Sequence, residues 1–328
     1  MTPNPGLRLV KRDASGVDLA FRSDVLLGLA QIQKAVPARW FYDDAGSQLF
    51  EDITQLPEYY PTRAEAEILQ SRAGEIADLI GPGRAVVEFG SGSSVKTPLL
   101  LSAITPSAYV PLDIAGDFLR ASSAELAAKF PGLPVYPVEA DFMRRVELPS
   151  EVADLPKLGF FPGSTIGNMI ARTATDLLRS MRETLGTGAL LLIGMDLVKD
   201  EDVLIAAYDD AAGVTAAFNL NLLTRINREL GGDIPIGAFR HEARWNDTFA
   251  RIEMHLVAQS DIAFTVSGEQ FAMRAGTSIH TENSHKFTRR SGQTLLAAGG
   301  WEPRARWADS AGQFLLVLAE ACPPRSAP

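Results

Sequence analysis

From Ala85 to Met195, short apolar runs alternate with stretches of helical periodicity, and this alternation narrows the possible folds more than any other feature of the chain. The runs are Ala85 to Phe89, Ala108 to Leu112, Val135 to Glu139, Lys157 to Phe161 and Ala189 to Met195, with helices predicted over Ala115 to Lys129 and Ala174 to Leu185. A strand covered on both faces has no solvated side, so it reads as a continuous apolar run. Strand, helix, strand in regular order therefore predicts an α/β, doubly wound domain with a mainly parallel sheet. Ligands of such sheets sit outside the carboxyl ends of the strands, where strand order reverses.

The flanking regions read differently. Helices are predicted over Asp24 to Gln33 and over Gly46 to Leu56, the second with Leu49, Phe50, Ile53 and Leu56 at helical spacing. A longer helix is expected from Thr62, because Thr62 with Glu65 three residues later has the form of a capping box after Pro61. Its apolar face is Ile68, Leu69, Ile76 and Leu79. After Met195 the alternation gives way to a helical stretch over Glu201 to Glu229, then strand-like segments at Arg251 to Ala258, Ile262 to Val266 and Thr277 to Glu282. A helix from His285 to Ala298 and strands at Arg304 to Ala308 and Phe314 to Glu320 resume the α/β pattern. The expected organisation is a doubly wound domain from residues 61–196 and 287–321, with a second domain from residues 1–60 and 197–286.

Several function classes are disfavoured. Against 31 basic residues stand 40 acidic ones, a net charge of -9, and no Lys or Arg run marks a phosphate-backbone footprint, so nucleic acid is not an expected partner. The single cysteine, Cys322, permits no intrachain disulfide. Met1 to Gly16 lacks the apolar core of a secretion signal, and Ala189 to Met195 is too short to cross a bilayer, so a cytoplasmic protein without a membrane partner is expected. Of the four histidines, His280 and His285 lie near Glu282, but no cysteine pair completes a zinc site and no metal is expected.

Chemistry concentrates at the predicted strand ends. The first strand runs into Gly90-Ser91-Gly92-Ser93-Ser94, followed by Lys96 and Thr97 at a helix start. Glycines let backbone amides approach a ligand, and a helix N-terminus favours an anion. Val95 occupies the place of the third glycine that a dinucleotide fingerprint requires, which disfavours a nicotinamide reductase. The second strand ends at Asp113, an acceptor for ribose hydroxyls, and the third is followed by Asp141 and Phe142, an acid and a ring suited to adenine. A glycine turn, a ribose acid and an adenine acid with an aromatic together point to S-adenosylmethionine. The fourth strand leads into Pro162-Gly163-Ser164-Thr165-Ile166-Gly167-Asn168, where Asn168 can accept from an amine without presenting charge to a sulfonium.

Four segments carry a resemblance: Trp40-Phe41-Tyr42-Asp43, Leu56 to Arg63 (LPEYYPTR), Gly90 to Thr97 and Phe161 to Asn168. In this order they resemble the histidine-specific methyltransferase family, whose members convert histidine to its trimethylbetaine, hercynine, in ergothioneine biosynthesis. The resemblance spans about Asp24 to Ala321. It implies a Rossmann-like class I methyltransferase sheet with a second α+β substrate-binding domain, acting as a monomer on L-histidine and its mono- and dimethylated forms. It further implies that Tyr42, Gly90, Lys96, Asp113, Asp141 and Phe142 hold S-adenosyl-L-methionine, with Lys96 near its carboxylate. Tyr59, Asn168 and Tyr208 would hold the amino-acid backbone, with Tyr59 and Asn168 as the catalytic pair, while Met254, Glu282 and Ser284 line the side-chain pocket. Two alternatives stay open: an α-amine methyltransferase for another amino acid such as tryptophan, and a non-catalytic S-adenosylmethionine-binding regulator.

Overall fold

The structure is a computed structural model that describes residues 16–92, 96–114 and 116–323. Most of the Met1 to Gly16 stretch, Ser93 to Val95 of the glycine turn, and the expected helix start at Ala115 lie outside the described residues. In chain order the elements begin with α1 (Leu19–Leu29), β1 (Lys34–Ala35), α2 (Asp44–Thr54), α3 (Tyr60–Ser71), α4 (Ala73–Ile80), β2 (Ala85–Phe89), α5 (Lys96–Ala103), β3 (Ala108–Asp113), α6 (Gly116–Lys129) and β4 (Val138–Glu139). They continue with β5 (Lys157–Phe161), α7 (Ala171–Leu185), β6 (Leu190–Asp196), α8 (Glu201–Ala206), α9 (Val214–Leu230), β7 (Phe239–Asn246) and β8 (Arg251–Ala258). The last are β9 (Ile262–Val266), β10 (Glu269–Met273), β11 (Ser278–His285), α10 (Arg289–Ala298), β12 (Trp301–Ala308) and β13 (Phe314–Ala321). Among the described residues they form two compact units, one built on Pro61–Val198 and residues 286–323, the other on residues 16–60 and Lys199–His285.

The first unit holds a seven-stranded sheet in the order β12-β13-β6-β5-β2-β3-β4. Strands β2 to β6 run parallel, and β13 is antiparallel to both β6 and β12. Both faces are covered, which is why these strands read as unbroken apolar runs. Val87, Val110 and Ile193 pack with Leu177, Leu178 and Met181 of α7. Val86, Phe160 and Leu192 pack with Ile68 and Leu69 of α3 and Ile76 of α4 on the opposite face. Order reverses between β2 and β5, so the crevice for a ligand lies past Phe89 and Phe161.

The second unit is α+β. Its sheet has the order β1-β11-β8-β7, with β9 and β10 pairing as a separate hairpin. Helix α9 lays Phe218, Leu222, Leu223 and Ile226 into a core that includes Ile252, Met254, Leu256 and Ile279.

Local departures from the sequence reading have identifiable causes. The expected strand Val135 to Glu139 is reduced to β4 plus an isolated bridge at Val135, because Pro137 has no N–H to continue the ladder. The long helix from Thr62 starts two residues earlier, at Tyr60, and breaks at Arg72, so that Leu79 is exposed and Ile80 is buried instead. The helix expected over Glu201 to Glu229 is two helices, since the Asp210 carboxylate accepts from the Val214 and Thr215 amides and Gly213 takes φ 75° to begin α9 afresh. His285 closes β11 instead of opening a helix, which begins at Arg289 under a Thr288–Ser291 capping box. Helix α1 spans Leu19–Leu29 and not Asp24 to Gln33, because Asp18 caps it through the Ala20 and Phe21 amides.

Candidate active site

Residues of the first unit gather at the switch point. Gly90 follows β2 with φ 74°, and its amide and that of Ser91 both donate to Leu112 O, at 2.9 and 3.1 Å, which ties the turn to the end of β3. A side chain at Gly90 would be strained by that φ, and its Cβ would come into contact with the Phe142 ring at 3.5 Å. Phe142 lies edge-on to Phe89 and Phe161, with centroids at 6.0 and 6.3 Å, and so stands over the last residues of β2 and β5. Asp113 is the last residue of β3, and Asp141 accepts from the Met143 amide at 3.1 Å. Lys96 Nζ lies 2.8 Å from Glu65 Oε2 at the start of α5. A cavity of about 180 Å³ on the α5–α6 side touches Ser91 and Gly92 but neither Lys96, Asp113 nor Phe142, and is separate from this group.

The segment after β5 is held from several sides. The Gly163 amide donates to Glu65 Oε2 at 2.9 Å, Ser164 Oγ accepts from the Asp196 amide at 2.8 Å, and Ile166 is fully buried. Ser164 adopts φ 58°, a left-handed conformation that a serine holds only when its surroundings enforce it. The 3-10 turn Thr165–Asn168 that follows leaves Asn168 half-buried at its end.

In the second unit the structure brings together Tyr42, Tyr59, Tyr208, Glu282 and Ser284. The Tyr208 hydroxyl and Ser284 Oγ are 2.7 Å apart, and the Tyr208 and Tyr59 rings meet edge to face at 6.1 Å. Met254 is buried and stands opposite Glu282 in the β8–β11 register. Tyr42 lies in the second unit with this group, and 43% of its surface is open. Its phenol is held well above the ordinary value, first by desolvation, then by the Glu282 carboxylate and the Tyr59 and Tyr208 phenols. Asp43, next to it, caps α2 through the Gly46 amide and accepts from Asn221 Nδ2 of α9, both at 2.8 Å, which fixes where Tyr42 emerges.

Beneath these residues runs a buried network. Asn219 Nδ2 donates to His255 O at 3.3 Å; a carbonyl can only accept, so this fixes the amide orientation. The same Nδ2 faces His241 Nδ1 at 2.8 Å, so that nitrogen accepts, and His241 Nε2–H donates to Tyr208 O at 2.7 Å. Burial holds the His241 imidazole below its ordinary pKa and therefore neutral. Thr281 Oγ1 completes the network toward Asn219 Oδ1 and Met254 O at 2.8 and 3.0 Å, just before Glu282. Tyr208 is thus held at its carbonyl by His241 and at its hydroxyl by Ser284. The sequence reading missed these supports, although a polar Asn219 within the apolar stripe of α9 is the kind of signal that marks one.

His280 Nε2–H donates to the Glu282 carbonyl at 2.9 Å. Its ring stacks on His255 at 4.9 Å, and donor atoms of Glu253, His255 and His280 lie within 4.8 Å of one another. Arg251 Nη2 sits 2.6 Å from Glu253 Oε1, and His255 Nε2 lies 3.2 Å from Glu253 Oε2.

A parallel sheet with a reversed last strand, a left-handed glycine after the first strand, and an acid at the end of the second define a class I, S-adenosylmethionine-dependent methyltransferase. A sequence profile of the family described as histidine-specific, S-adenosylmethionine-dependent methyltransferases matches residues 21–321. The chain belongs to that family. It is 42% identical over 306 residues to histidine N-alpha-methyltransferase of Mycolicibacterium smegmatis, covering 92% of this chain and 94% of that one. The Mycobacterium tuberculosis protein of the same name is 41% identical, covering 92% and 95% respectively. Ergothioneine biosynthesis protein 1 of Neurospora crassa is 28% identical over 98% of this chain, which spans 37% of that longer protein. No helix among the described residues is long and apolar enough to cross a membrane.

Proposed function

We propose that this chain transfers methyl groups from S-adenosylmethionine to the α-amino group of L-histidine, three rounds giving hercynine, the opening step of ergothioneine biosynthesis. The observation that carries histidine over other amino acids is Glu282, a half-buried carboxylate within electrostatic reach of Tyr42, which also feels Tyr59 and Tyr208. A carboxylate there can accept a hydrogen bond from an imidazole N–H, which an indole or phenyl face does not offer. The two mycobacterial relatives carry the name of this activity along nearly their whole length.

The strand-end residues fit the cofactor. Phe142 offers a ring at the switch point, Asp113 and Asp141 offer acceptors, Gly90 keeps the backbone open, and Lys96 supplies a cation for a carboxylate. When bound, the cofactor supplies an electrophilic sulfonium methyl. The chain's own contribution is positioning, which lowers the barrier without a covalent step. Tyr59 and Tyr208 hold the carboxylate of the amino acid, Tyr208 being fixed by His241 and Ser284. Asn168, seated by the strained Ser164 turn, accepts a hydrogen bond from the α-nitrogen and leaves its lone pair for the methyl. An amide does this without holding the nitrogen as an ammonium, as a carboxylate would. Met254 and Ser284 close the pocket around the imidazole on Glu282. On this reading the enzyme is a cytoplasmic monomer that binds neither nucleic acid nor membrane, and its net charge of -9 supports the exclusion of nucleic acid.

The test is incubation with S-adenosylmethionine and each of the twenty amino acids, read by mass spectrometry. Histidine alone should gain one, two and three methyl increments. Preferential methylation of tryptophan or another amino acid would overturn the substrate, and cofactor binding without turnover would make the chain a regulator.

A further inference from the structure

We infer that Glu65 binds the α-ammonium of the cofactor's aminoacyl end, beside Lys96, which takes its carboxylate; this rests on the cofactor reading above. Thr62 and Glu65 have the sequence form of a capping box, but α3 begins before Thr62 and the Glu65 side chain turns into the sheet, with no exposed surface. Its Oε2 accepts from Lys96 Nζ at 2.8 Å and from the Gly163 amide at 2.9 Å. Lys96 follows β2 and Gly163 follows β5, so the carboxylate lies at the switch point where the ligand of such a sheet belongs. Its other oxygen, Oε1, takes no hydrogen bond from any described group.

The sheet makes room for that oxygen. A Cβ on Gly194 of β6, between Ile193 and Met195, would stand 2.6 Å from Oε1. A buried carboxylate oxygen with no donor is among the costliest features a fold can carry, so an acceptor held this way points to a donor that arrives with a ligand. The aminoacyl end of S-adenosylmethionine carries an ammonium and a carboxylate on one carbon. Glu65 and Lys96 present the opposite charges in contact, and the four groups close an alternating square in which every neighbour attracts. The methyl-accepting amine is a poor candidate for this place, because a carboxylate beside it would hold it protonated and unreactive.

Calorimetry on the full chain separates these roles with three probes: S-adenosylhomocysteine, its analogue bearing the amine but no carboxylate, and its analogue bearing the carboxylate but no amine. Glu65→Gln should weaken the first two about 10- to 100-fold, the range of a charge-assisted hydrogen bond, and leave the third within about twofold. Gly194→Ala, whose Cβ would press on both Oε1 and the Phe314 ring, and Glu65→Asp, which keeps the charge but withdraws it, should give the same selective pattern, and either carries the test if Glu65→Gln does not fold. Equal loss on all three probes, loss confined to the carboxylate probe, or no loss would each overturn the assignment; the second would mean that Glu65 acts only through Lys96. A large fall in kcat with unchanged probe affinities would make Glu65 the base for the substrate and also overturn it. If the unaltered protein binds none of the probes, the cofactor reading itself fails.

Discussion

Replacing Glu88 by Gln should stabilise the first unit relative to the unaltered protein, and more so at pH 8 than at pH 4.5, by an amount that can be worked from the structure. Glu88 lies near the end of β2, with no exposed surface, and its oxygens accept from Thr97 Oγ1 at 2.7 and 2.9 Å and from the Tyr109 hydroxyl at 2.6 Å. Burial raises its carboxyl from 4.5 to about 7, against the opposing pull of those hydrogen bonds and of Lys96. Below pH 4.5 folded and unfolded chains both hold the proton, and the contribution to stability is fully present. As pH rises through 7 the unfolded chain has already ionised and the folded one must follow, so stability is lost. At roughly 1.4 kcal/mol per pK unit the loss approaches 3 kcal/mol. Glutamine keeps the shape, donates to one hydroxyl and accepts from the other, and does not ionise. The difference in unfolding free energy between Glu88→Gln and the unaltered protein should therefore grow by about 3 kcal/mol from pH 4.5 to 8. Urea titrations read by hydrogen exchange in β2 and β3 peptides measure this for the first unit alone. An offset that stays constant across that range would show that Glu88 ionises like an exposed carboxyl, and the argument from burial would fail.

The second unit should respond with the opposite sign: burial lowers His255 from 6.5 to about 4, so its contribution is present above pH 6.5 and lost as pH falls toward 4. Exchange protection in β8 should weaken over that window and flatten in His255→Gln, and equal slopes in the two proteins would refute it. Asp113→Ala, which removes the acid at the end of β3, should weaken S-adenosylmethionine binding about ten- to a hundredfold, and unchanged affinity by calorimetry would remove Asp113 from the cofactor set. Turnover of histidine should rise from pH 7 to 9, because the substrate amine must lose its proton while the Tyr42 phenol, raised well above its ordinary value, keeps its own. A flat profile would assign deprotonation to a protein base. Glu282→Ala should lower kcat/KM for histidine roughly 10- to 100-fold and improve methylation of tryptophan or phenylalanine, with cofactor affinity unchanged. Retained preference for histidine would show that this carboxylate does not read the imidazole.

Most of the first unit was legible because its strands are buried on both faces. The strands Ala85–Phe89 and Lys157–Phe161 begin and end where the runs do, since most of their side chains are apolar and buried, with Glu88 as a buried exception. The second unit yielded less. Strand β7 alternates inward Phe239, His241 and Ala243 with outward Arg240, Glu242 and Arg244, and two of its three inward residues are not strongly apolar, so the period of two was hidden. In β10 only Met273 is buried, so the strand carries almost no hydrophobic signal and exists because β9 pairs with it. The break at Asp210 was present as an acid followed by a glycine, but an amphipathic pattern on both sides masked it.

The candidate site divides along the same line, for a reason of physical chemistry. Groups that meet a ligand through the backbone leave short-range marks: a glycine where φ must be positive, an acid where a strand ends. Gly90 and Asp113 could be read that way from their neighbours alone. Groups that act by side-chain placement owe their position to partners far away in sequence. Tyr208 is fixed by His241 and Ser284, and Glu282 follows Thr281, which is pinned by Asn219 some sixty residues earlier. No local pattern encodes such a bond, and only the resemblance marked these residues. Glu65 shows the opposite failure, in which a local pattern was present and misleading. A Thr with a Glu three residues on is a capping box only if the helix starts at the Thr, and α3 starts earlier, which releases the carboxylate for the sheet. Whether a buried polar group is support or machinery then depends on its accounting of donors. Asn219 and His241 have each hydrogen-bonding atom matched within the protein, as a support should, while Glu65 has one oxygen left over.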